Sequence, residues 1–522
     1  MFDVITKVFN ELTATNFQLG DLPDFPWNYY QAQQAMYEES ERWFTGLALE
    51  DKASNDQKVD LYPLKINPLL NSVFKHAHIL FGETENNGKP LVYPKFIAKT
   101  PEEKILAKEA EAALDWVWYE NNGDALMQEN AILSQIYGGC VFKATYVPWE
   151  GIDKGGWRKV PIRIERINPK GFIGIPDSGD MYRLKECWVV RQIPNVEALQ
   201  WGYTGTDKIV YMVEHWTRDS IVVFVNNQVA YIQSLETGKI ELGGDNPFKK
   251  ITTVYIPHIR AGNFLGMNML DPLKGIVKEY NLRFADYGDA INEDSHGYVA
   301  MRNVNGVPSV RTIAEGLNAI DLGSSNNISG NEPDPDLFEV RKQRAGQSMS
   351  DMVDKLVETY RRESSVPAVA DGEDEGSQRS SLTLATRFWP LTTHATMERR
   401  FWTPGLDVFQ NILLTIMAEK GLENITPKHL LLRSKQHWAN MLPKDREVDV
   451  QEWVARSSAN LGSIDTLLDL TGDIEDIEEE KTKILDWIAK KAETTAVVTA
   501  KYAPKPAPIN PMMKKKPAGG MK

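Results

Sequence analysis

The stretch DPLKGIVKEYNLRFADYGDAINE, residues 271–293, decides the fold. Its main apolar residues recur at intervals of 4, 3, 4, 3 and 4, which predicts a helix from about Asn268 to Asp294. A continuous apolar seam of this kind runs for about 30 Å. The seam residues are Leu273, Val277, Tyr280, Phe284, Tyr287 and Ile291. The opposite face carries both signs of charge, at Lys274, Lys278, Glu279, Arg283, Asp286, Asp289 and Glu293.

A second helix with the same kind of seam is predicted from about Gln347 to Ser364, ended by Pro367. Its seam residues are Met349, Val353, Leu356 and Tyr360. The intervening residues 297–345 show little helical pattern, are rich in Gly, Asn and Pro, and contain short strand-like runs. Such seams most often reflect ordinary core packing. The functional interpretation is that the two helices pack together as rigid rods with a mechanical role.

The chain before these helices is predicted to change from α to β. The first 138 residues are mainly helical by pattern, with helix starts and stops over residues 67–81, 100–121 and 124–138. From Cys140 to Pro257 the apolar period becomes two, which is typical of strands. Within it, residues 225–229 predict a hairpin through a two-residue Asn turn.

The chain after them is predicted to be helical again. A mobile acidic segment, AVADGEDEGSQRSS, precedes a long helix over residues 382–419 that Pro390 and Pro404 are expected to kink or divide. The remainder to residue 500 is predicted to be helical. Residues 501–522 contain six Lys and no acid, and we expect them to be disordered.

Composition narrows the class of protein. A chain of 522 residues, 42% hydrophobic and 25% charged, predicts a folded protein of roughly three domains. A net charge of −13 disfavours a protein that grips nucleic acid over its whole surface. Cys140 and Cys187 are too few for a disulfide framework or a Cys-rich zinc site. With no basic-then-apolar start and no run of about 18 apolar residues, we expect a soluble, unexported protein with no membrane contact.

No catalytic residue, metal site or cofactor is predicted. The nearest candidate for a phosphate-binding loop, residues 82–90, has the wrong spacing, and a proline stands where a hydroxyl should hold magnesium. His76 and His78 would point to different faces of one helix. The histidines at 394, 429 and 437 lie far apart in sequence and lack neighbouring ligand patterns. Cys140 lies in an apolar strand context, where a thiol is usually inert.

Three segments, taken in order, resemble the portal protein (head-to-tail connector) family of tailed double-stranded DNA bacteriophages. They are residues 257–293, 356–391 and 438–484, and the resemblance covers roughly residues 25–495. The resemblance implies an α+β, mainly α-helical portal fold with a wing of helices and a β region, a two-helix stem, a small α/β clip, a long kinked helix and a helical C-terminal crown.

The resemblance also implies the extents of these parts. They are the wing at 1–267, first stem helix at 268–296, clip at 297–345, second stem helix at 346–365, tunnel loop at 366–381, long helix and wing at 382–437, wing and crown at 438–500, and basic tail at 501–522.

The function implied is that of a portal: a non-enzymatic ring of twelve subunits at one capsid vertex, which conducts DNA during packaging and ejection. Implied partners are the terminase large subunit, the major capsid and scaffolding proteins, and head-completion adaptor or tail proteins. The protein would be assembled in the host cytoplasm and found in the virion. The tunnel-loop residues facing DNA would be Asp371, Glu373, Asp374, Glu375 and Arg379. The composition of the basic tail favours an inert solubilising end, and in the alternative Lys514, Lys515 and Lys516 are candidate DNA contacts.

Two alternatives stay open at this stage. One is another head–tail structural connector, although such adaptors are usually shorter and lack the excursion between two helices. The other is a phage metal-dependent nuclease or an ATPase subunit, in which acidic clusters would bind magnesium. The failed phosphate loop disfavours the second.

Overall fold

The structure is a computed structural model. It describes residues 22, 24–49, 65–82, 90–147, 160–226, 228–234, 238–241, 243–295, 298–302, 318–321, 336–340, 347–373, 385–441, 446–459, 461 and 477–502. The chain forms two compact units: Met1–Thr84 with Pro90–Pro443, and Glu85–Lys89 with Lys444–Lys522. The fold is α+β, as predicted. Among the residues described, none of the helices is both long enough and apolar enough to cross a bilayer.

Four helices begin the first unit. They are α1 (Trp27–Thr45), α2 (Pro68–Phe81), α3 (Pro101–Glu120) and α4 (Gly123–Tyr137). The predicted start of α3 is confirmed by a capping box, in which Thr100 accepts from the Glu103 amide and Glu103 accepts from the Thr100 amide. Asp124 lies in the first turn of α4 and does not cap it: its carboxylate accepts from the Leu91 amide and the Trp118 indole. It therefore fastens α4 to its neighbours.

The predicted β region is confirmed between residues 139 and 257. Its strands are β2 (Gly139–Tyr146), β3 (Ile162–Ile167), β4 (Phe172–Pro176), β5 (Leu184–Pro194), β6 (Ile209–Thr217), β7 (Ser220–Val225), β8 (Gln228–Val229), β9 (Tyr231–Ser234), β10 (Gly238–Glu241), β11 (Gly243–Asp245) and β12 (Thr253–Pro257). A short helix α5 (Asn195–Gln200) separates β5 from β6.

These strands form three antiparallel sheets. One has the order β12-β2-β3, a second the order β11-β7-β6-β5-β4 with β8 added to β7, and the third pairs β9 with β10. The predicted hairpin is present, with Val225 opposite Gln228. Its turn residue Asn226 has a φ of 52°, a left-handed conformation that Asn tolerates better than most residues.

A further two-stranded sheet was not predicted. It pairs β1 (Val92–Ile97) with β16 (Arg433–Trp438) in antiparallel register, Val92 opposite Trp438. The prediction of a wholly helical chain between residues 420 and 500 was therefore wrong. Most of the sequence of the first unit lies between the two strands. Neither segment alone has enough apolar alternation to indicate a strand.

The two seam helices are present as α6 (Lys274–Ser295) and α7 (Gln347–Glu363). The helix α6 begins later than predicted because the Asn268 side chain accepts from the Asp271 amide at 2.8 Å and forms a separate turn there. The helix α7 ends at Glu363, and Ser365, with a φ of 57°, reverses the chain before Pro367 is reached. Between them lie β13 (Tyr298–Arg302), β14 (Asn318–Asp321) and β15 (Asp336–Val340), in the order β14-β13-β15.

The long helix α8 (Trp389–Lys420) begins later than predicted. Pro390 does not divide it, because it lies in the first turn, where a missing N–H is tolerated. Pro404 lies inside the helix. In the second unit the helices are α9 (Arg446–Ser458) and α10 (Ile477–Tyr502), so α10 extends into the first residues of the predicted tail.

The largest core cluster surrounds α8. Trp402 and Phe409 of α8 pack against Phe81 and Phe142, and all four are fully buried. A second cluster joins α1, α2 and α4 to Leu273 and to Val277 at the beginning of α6. This second cluster anchors the two seam helices to the rest of the first unit.

Candidate functional site: the paired helices and the acidic segment

The helices α6 and α7 pack against each other as a hairpin. Val277, near the beginning of α6, lies in the same cluster as Tyr360, near the end of α7. The helices are therefore antiparallel. The strands that follow α6 and precede α7 continue this arrangement, since β13 and β15 pair antiparallel with Tyr298 opposite Val340.

Burial of the predicted seam decreases along α6. Leu273 and Val277 are fully buried, whereas Ile291 is 47% exposed. The seam residues between them are half-buried: Tyr280, Phe284 and Tyr287. On α7 no residue is buried, and the seam residues Met349, Val353, Leu356 and Tyr360 are all half-buried. The seam is thus fully buried only where α6 begins.

Further apolar surface lies beside the seam. Leu282 of α6 and Met352 of α7 are 43% and 42% exposed. Sequence analysis did not single out either residue, because neither falls on the seam spacing. With Ile291 they leave the hairpin with apolar surface that no described residue covers.

The acidic segment begins as a 3₁₀ turn, Ala368–Asp371, and its first acids are paired with cations. Asp371 binds Lys75, which lies on α2, and accepts from Asn71 at 3.3 Å. Arg361 of α7 lies 2.6 Å from a Glu373 carboxylate oxygen and 3.8 Å from one of Asp371. The segment is therefore fastened to both α2 and α7. The other predicted tunnel-loop residues, Asp374, Glu375 and Arg379, lie outside the described residues.

A cavity of about 180 Å³ lies under this segment, between α2 and the two seam helices. Its apolar wall includes Val277, Tyr280 and Val357, and Asp371 lies at its edge. The Tyr360 hydroxyl is 2.7 Å from that of Ser72, and burial raises the pKa of Tyr360 to about 12. The tyrosine is therefore a neutral hydrogen-bonding group that joins α7 to α2.

The structure gives a structural role to several residues that the sequence analysis considered as candidate sites. Gly82 has a φ of 75°, and a Cβ there would lie 2.1 Å from the Asn440 carbonyl oxygen, so close chain approach explains this glycine. Burial raises the pKa of the thiols of Cys140 and Cys187, which makes them poor nucleophiles. Residues 83–89 of the candidate phosphate loop, and Lys514, Lys515 and Lys516, lie outside the described residues.

The histidines are distributed differently from expectation. His76 is buried and His78 is exposed, so the two do point to different faces of α2. His76, however, lies against His394 and Glu398 of α8, with 4.6 Å between the two imidazole centroids. Sequence analysis missed this group, although the one-turn spacing of His394 and Glu398 was a signal. His429 lies apart from it and pairs with Glu109 at 3.1 Å.

The comparisons with known proteins add one finding. Residues 94–494 match the family described as "Phage portal protein, SPP1 Gp6-like". The matched region runs from β1 to α10 and includes the α6–α7 hairpin and the acidic segment. A search of curated proteins finds no match.

Proposed function

Since this chain belongs to the phage portal protein family, we propose that twelve copies form a ring at one capsid vertex, and that double-stranded DNA passes through the ring during packaging and ejection. The observation that carries this proposal is the uncovered apolar surface of the α6–α7 hairpin. Side chains such as Ile291, Leu282 and Met352 are expected to be covered in the assembled protein.

Neighbouring copies of the hairpin supply that cover. Full burial of one such side chain stabilises a protein by about 1.5–3 kcal/mol, so covering one that is nearly half exposed contributes about 1 kcal/mol. The contribution is repeated at every interface of a closed ring. The hairpins then form the wall of a tube, with α6 inside the first stem segment at 268–296 and α7 inside the second at 346–365.

The acidic segment, at 366–381, is proposed to face the channel as the tunnel loop. Asp371 and Glu373 offset the charges of Lys75 and Arg361, so this part of the wall carries little net positive charge for phosphates to bind. Asp374 and Glu375 follow in the sequence with no intervening cation. A neutral to negative wall lets DNA slide, because duplex binding depends on cations that displace counterions. Arg379 is proposed as an occasional phosphate contact.

Partners follow from the same proposal. The clip at 297–345 would dock the terminase large subunit and later the head-completion adaptor or tail proteins. The wing would contact major capsid and scaffolding proteins. The protein would act without a cofactor and without enzymatic activity, assemble in the host cytoplasm and remain in the virion. The lysines 514–516 are proposed as a second place where packaged DNA is contacted.

The alternatives are weaker. A metal-dependent nuclease or ATPase subunit would need free acids, whereas Asp371 and Glu373 are paired with basic residues. Another head–tail connector would share the ring but not the family to which residues 94–494 belong.

The oligomeric state of the purified full-length protein tests the proposal. We expect rings of about twelve copies by native mass spectrometry. Ile291→Glu and Met352→Glu should reduce ring formation, since both place charge on the apolar surface of the hairpin. Ile105→Glu is the matched control, because Ile105 is 61% exposed on α3, away from the hairpin. A wild-type monomer, or equal loss of rings in all three variants, would contradict the role given to the hairpin.

A further inference from the structure

Three histidines and a glutamate meet in the interior of the first unit. We call them the His/Glu cluster: His76 on α2, His258 directly after β12, and His394 and Glu398 one turn apart on α8. The side chains of His76 and Glu398 are fully buried, His258 is 2% exposed, and His394 is 22% exposed. The cluster is thus an interior site with an opening at His394.

Backbone carbonyls decide which nitrogens of two histidines carry hydrogen. His76 Nε2 lies 2.7 Å from the Ser364 carbonyl oxygen, and His258 Nδ1 lies 2.9 Å from that of Met267. A carbonyl only accepts, so both of these nitrogens donate. In the neutral imidazoles, the lone pairs of His76 Nδ1 and His258 Nε2 therefore face the cluster.

One carboxylate oxygen lies at the centre of the cluster. Gln135 Nε2 donates to Glu398 Oε2 at 2.9 Å, which leaves Oε1 directed at the histidines. Oε1 lies 3.1 Å from His258 Nε2, 3.1 Å from His394 Nε2 and 3.9 Å from His76 Nδ1. None of these four atoms has an aligned hydrogen bond within the described part of the chain. Buried polar atoms are rarely left so.

Such a convergence of lone pairs requires a cation. Protons are one source: burial lowers the pKa of His258, but the neighbouring Glu398 carboxylate and the Met267 carbonyl together outweigh burial and raise the pKa. Burial alone would raise the pKa of Glu398, yet the charges of His258 and His394 lower it well below its usual range. Burial, and next the charge on His394, lower the pKa of His76 to about 4. The hydrogen bond at Nε2 directs the Nδ1 lone pair of His76 into the cluster, where it is placed to bind a metal ion.

We propose that His76, His394 and Glu398 bind one divalent transition-metal ion, with Zn²⁺ as the ion their donors suit, and that His258 is the fourth donor. Imidazole and carboxylate are ordinary zinc ligands, at about 2.0–2.2 Å. In a tetrahedral site, such ligand atoms are about 3.3 Å apart. The potential ligand atoms of His76, His394 and Glu398 all lie within 4.8 Å of one another. Shifts of less than about 1 Å in these side chains complete the site.

The surroundings match those of metal sites. Metal-binding histidines usually donate their second N–H to a carbonyl or carboxylate, as His76 and His258 do here. His394 and Glu398 lie one helical turn apart, and two ligands at this spacing are a recurrent chelating arrangement. The ion would cross-link α2, the turn after β12 and α8. Through Ser364 it would also hold the end of α7, where the hairpin meets the long helix.

Metal binding by the full-length protein tests this proposal, whatever its oligomeric state. Chelator-treated wild type is titrated with Co²⁺, and we expect one ion per chain with the strong visible bands of tetrahedral cobalt, lost when Zn²⁺ is added. His394→Asn should weaken binding by at least about 100-fold, since removing even a neighbour of a metal ligand costs about 10- to 100-fold. His78→Asn, an exposed histidine on α2, is the matched control and should bind as wild type does.

A second measurement does not depend on a variant folding. X-ray absorption of the zinc-loaded wild type should show nitrogen and oxygen neighbours at about 2.0–2.2 Å with imidazole scattering and no sulfur. Absence of stoichiometric tetrahedral cobalt, unchanged binding by His394→Asn, or a zinc shell without imidazole would each overturn the proposal. In that case protons alone occupy the cluster. Rings would still form, so this failure is distinguishable from failure of the portal function.

Discussion

Lys143 Nζ lies 2.5 Å from Glu214 Oε2, and the two side chains are only 4% and 9% exposed. Glu165 and Arg191, which are half-buried, extend this pair into a network that joins β2 to β3, β5 and β6. The pair thus holds together two sheets of the β region. Removing one member leaves the other buried without its partner, which is far costlier than losing a surface ion pair.

We expect Glu214→Gln to destabilise the first unit by about 3–5 kcal/mol, because the Lys143 charge then stays buried without its closest partner. The measurement is thermal or denaturant unfolding of the full chain. Glu129→Gln is the control: it removes an ion pair with Arg166 whose side chains are about half exposed, and should cost about 1 kcal/mol or less. Equal losses in both variants would show that the buried network contributes little.

The stabilising effect of Glu214 should depend on pH. Burial raises the pKa of the Glu214 carboxyl, but the charges of Lys143 and Arg191 outweigh burial and lower it below its ordinary value. A carboxyl with a lowered pKa in the folded state stabilises above its unfolded pKa, and this contribution disappears as pH falls through the folded pKa. The difference in melting temperature between wild type and Glu214→Gln should therefore shrink below about pH 4.5. A constant difference down to acid unfolding would contradict this.

Gly138→Ala should destabilise the protein more than Gly421→Ala does. Both glycines end helices with positive φ, 79° and 65°. A Cβ at Gly138 would lie 2.2 Å from the Gly266 carbonyl oxygen, whereas at Gly421 it would meet nothing within 4 Å. We expect about 1 kcal/mol of conformational strain at Gly421, and at Gly138 that strain plus a backbone clash. The melting temperature of Gly138→Ala should be the lower of the two, and similar melting temperatures for both variants would contradict this prediction.

Asp371→Asn combined with Glu373→Gln should increase the affinity of the ring for short duplex DNA. The substitutions remove two negative charges beside Lys75 and Arg361, so the segment gains net positive charge. The gain should be largest at low salt and decline as salt is raised. Glu102→Gln with Glu120→Gln, on α3, removes the same charge elsewhere and is the control. Equal gains in both variants would place the acidic segment away from DNA.

The sequence predicted those helices that are determined by interactions between residues close together in the chain. The helices α2 and α3 follow from their caps at Asn67 and Thr100, because those side chains satisfy the first amides of the same helix. The helices α6 and α7 follow from seam spacing. The start of α6 was missed because Asn268 makes a competing turn, a choice between two local structures that the sequence pattern does not decide.

Features made by distant segments could not be predicted in this way. The strand β16 exists because Val92–Ile97 offers it a partner, and nothing near residue 433 announces that partner. The pairing of Asp371 with Lys75 joins residues far apart in the chain, so the acidic segment looked wholly unpaired in sequence. The His/Glu cluster likewise draws on three separate elements, and only its His394–Glu398 spacing was visible.

Electron microscopy of the purified full-length protein is the most direct test of the portal function. The proposal predicts rings of about twelve subunits, with a central channel of about 20 Å or more, wide enough for a DNA duplex. Monomers, or closed assemblies with no channel wide enough for a duplex, would contradict it.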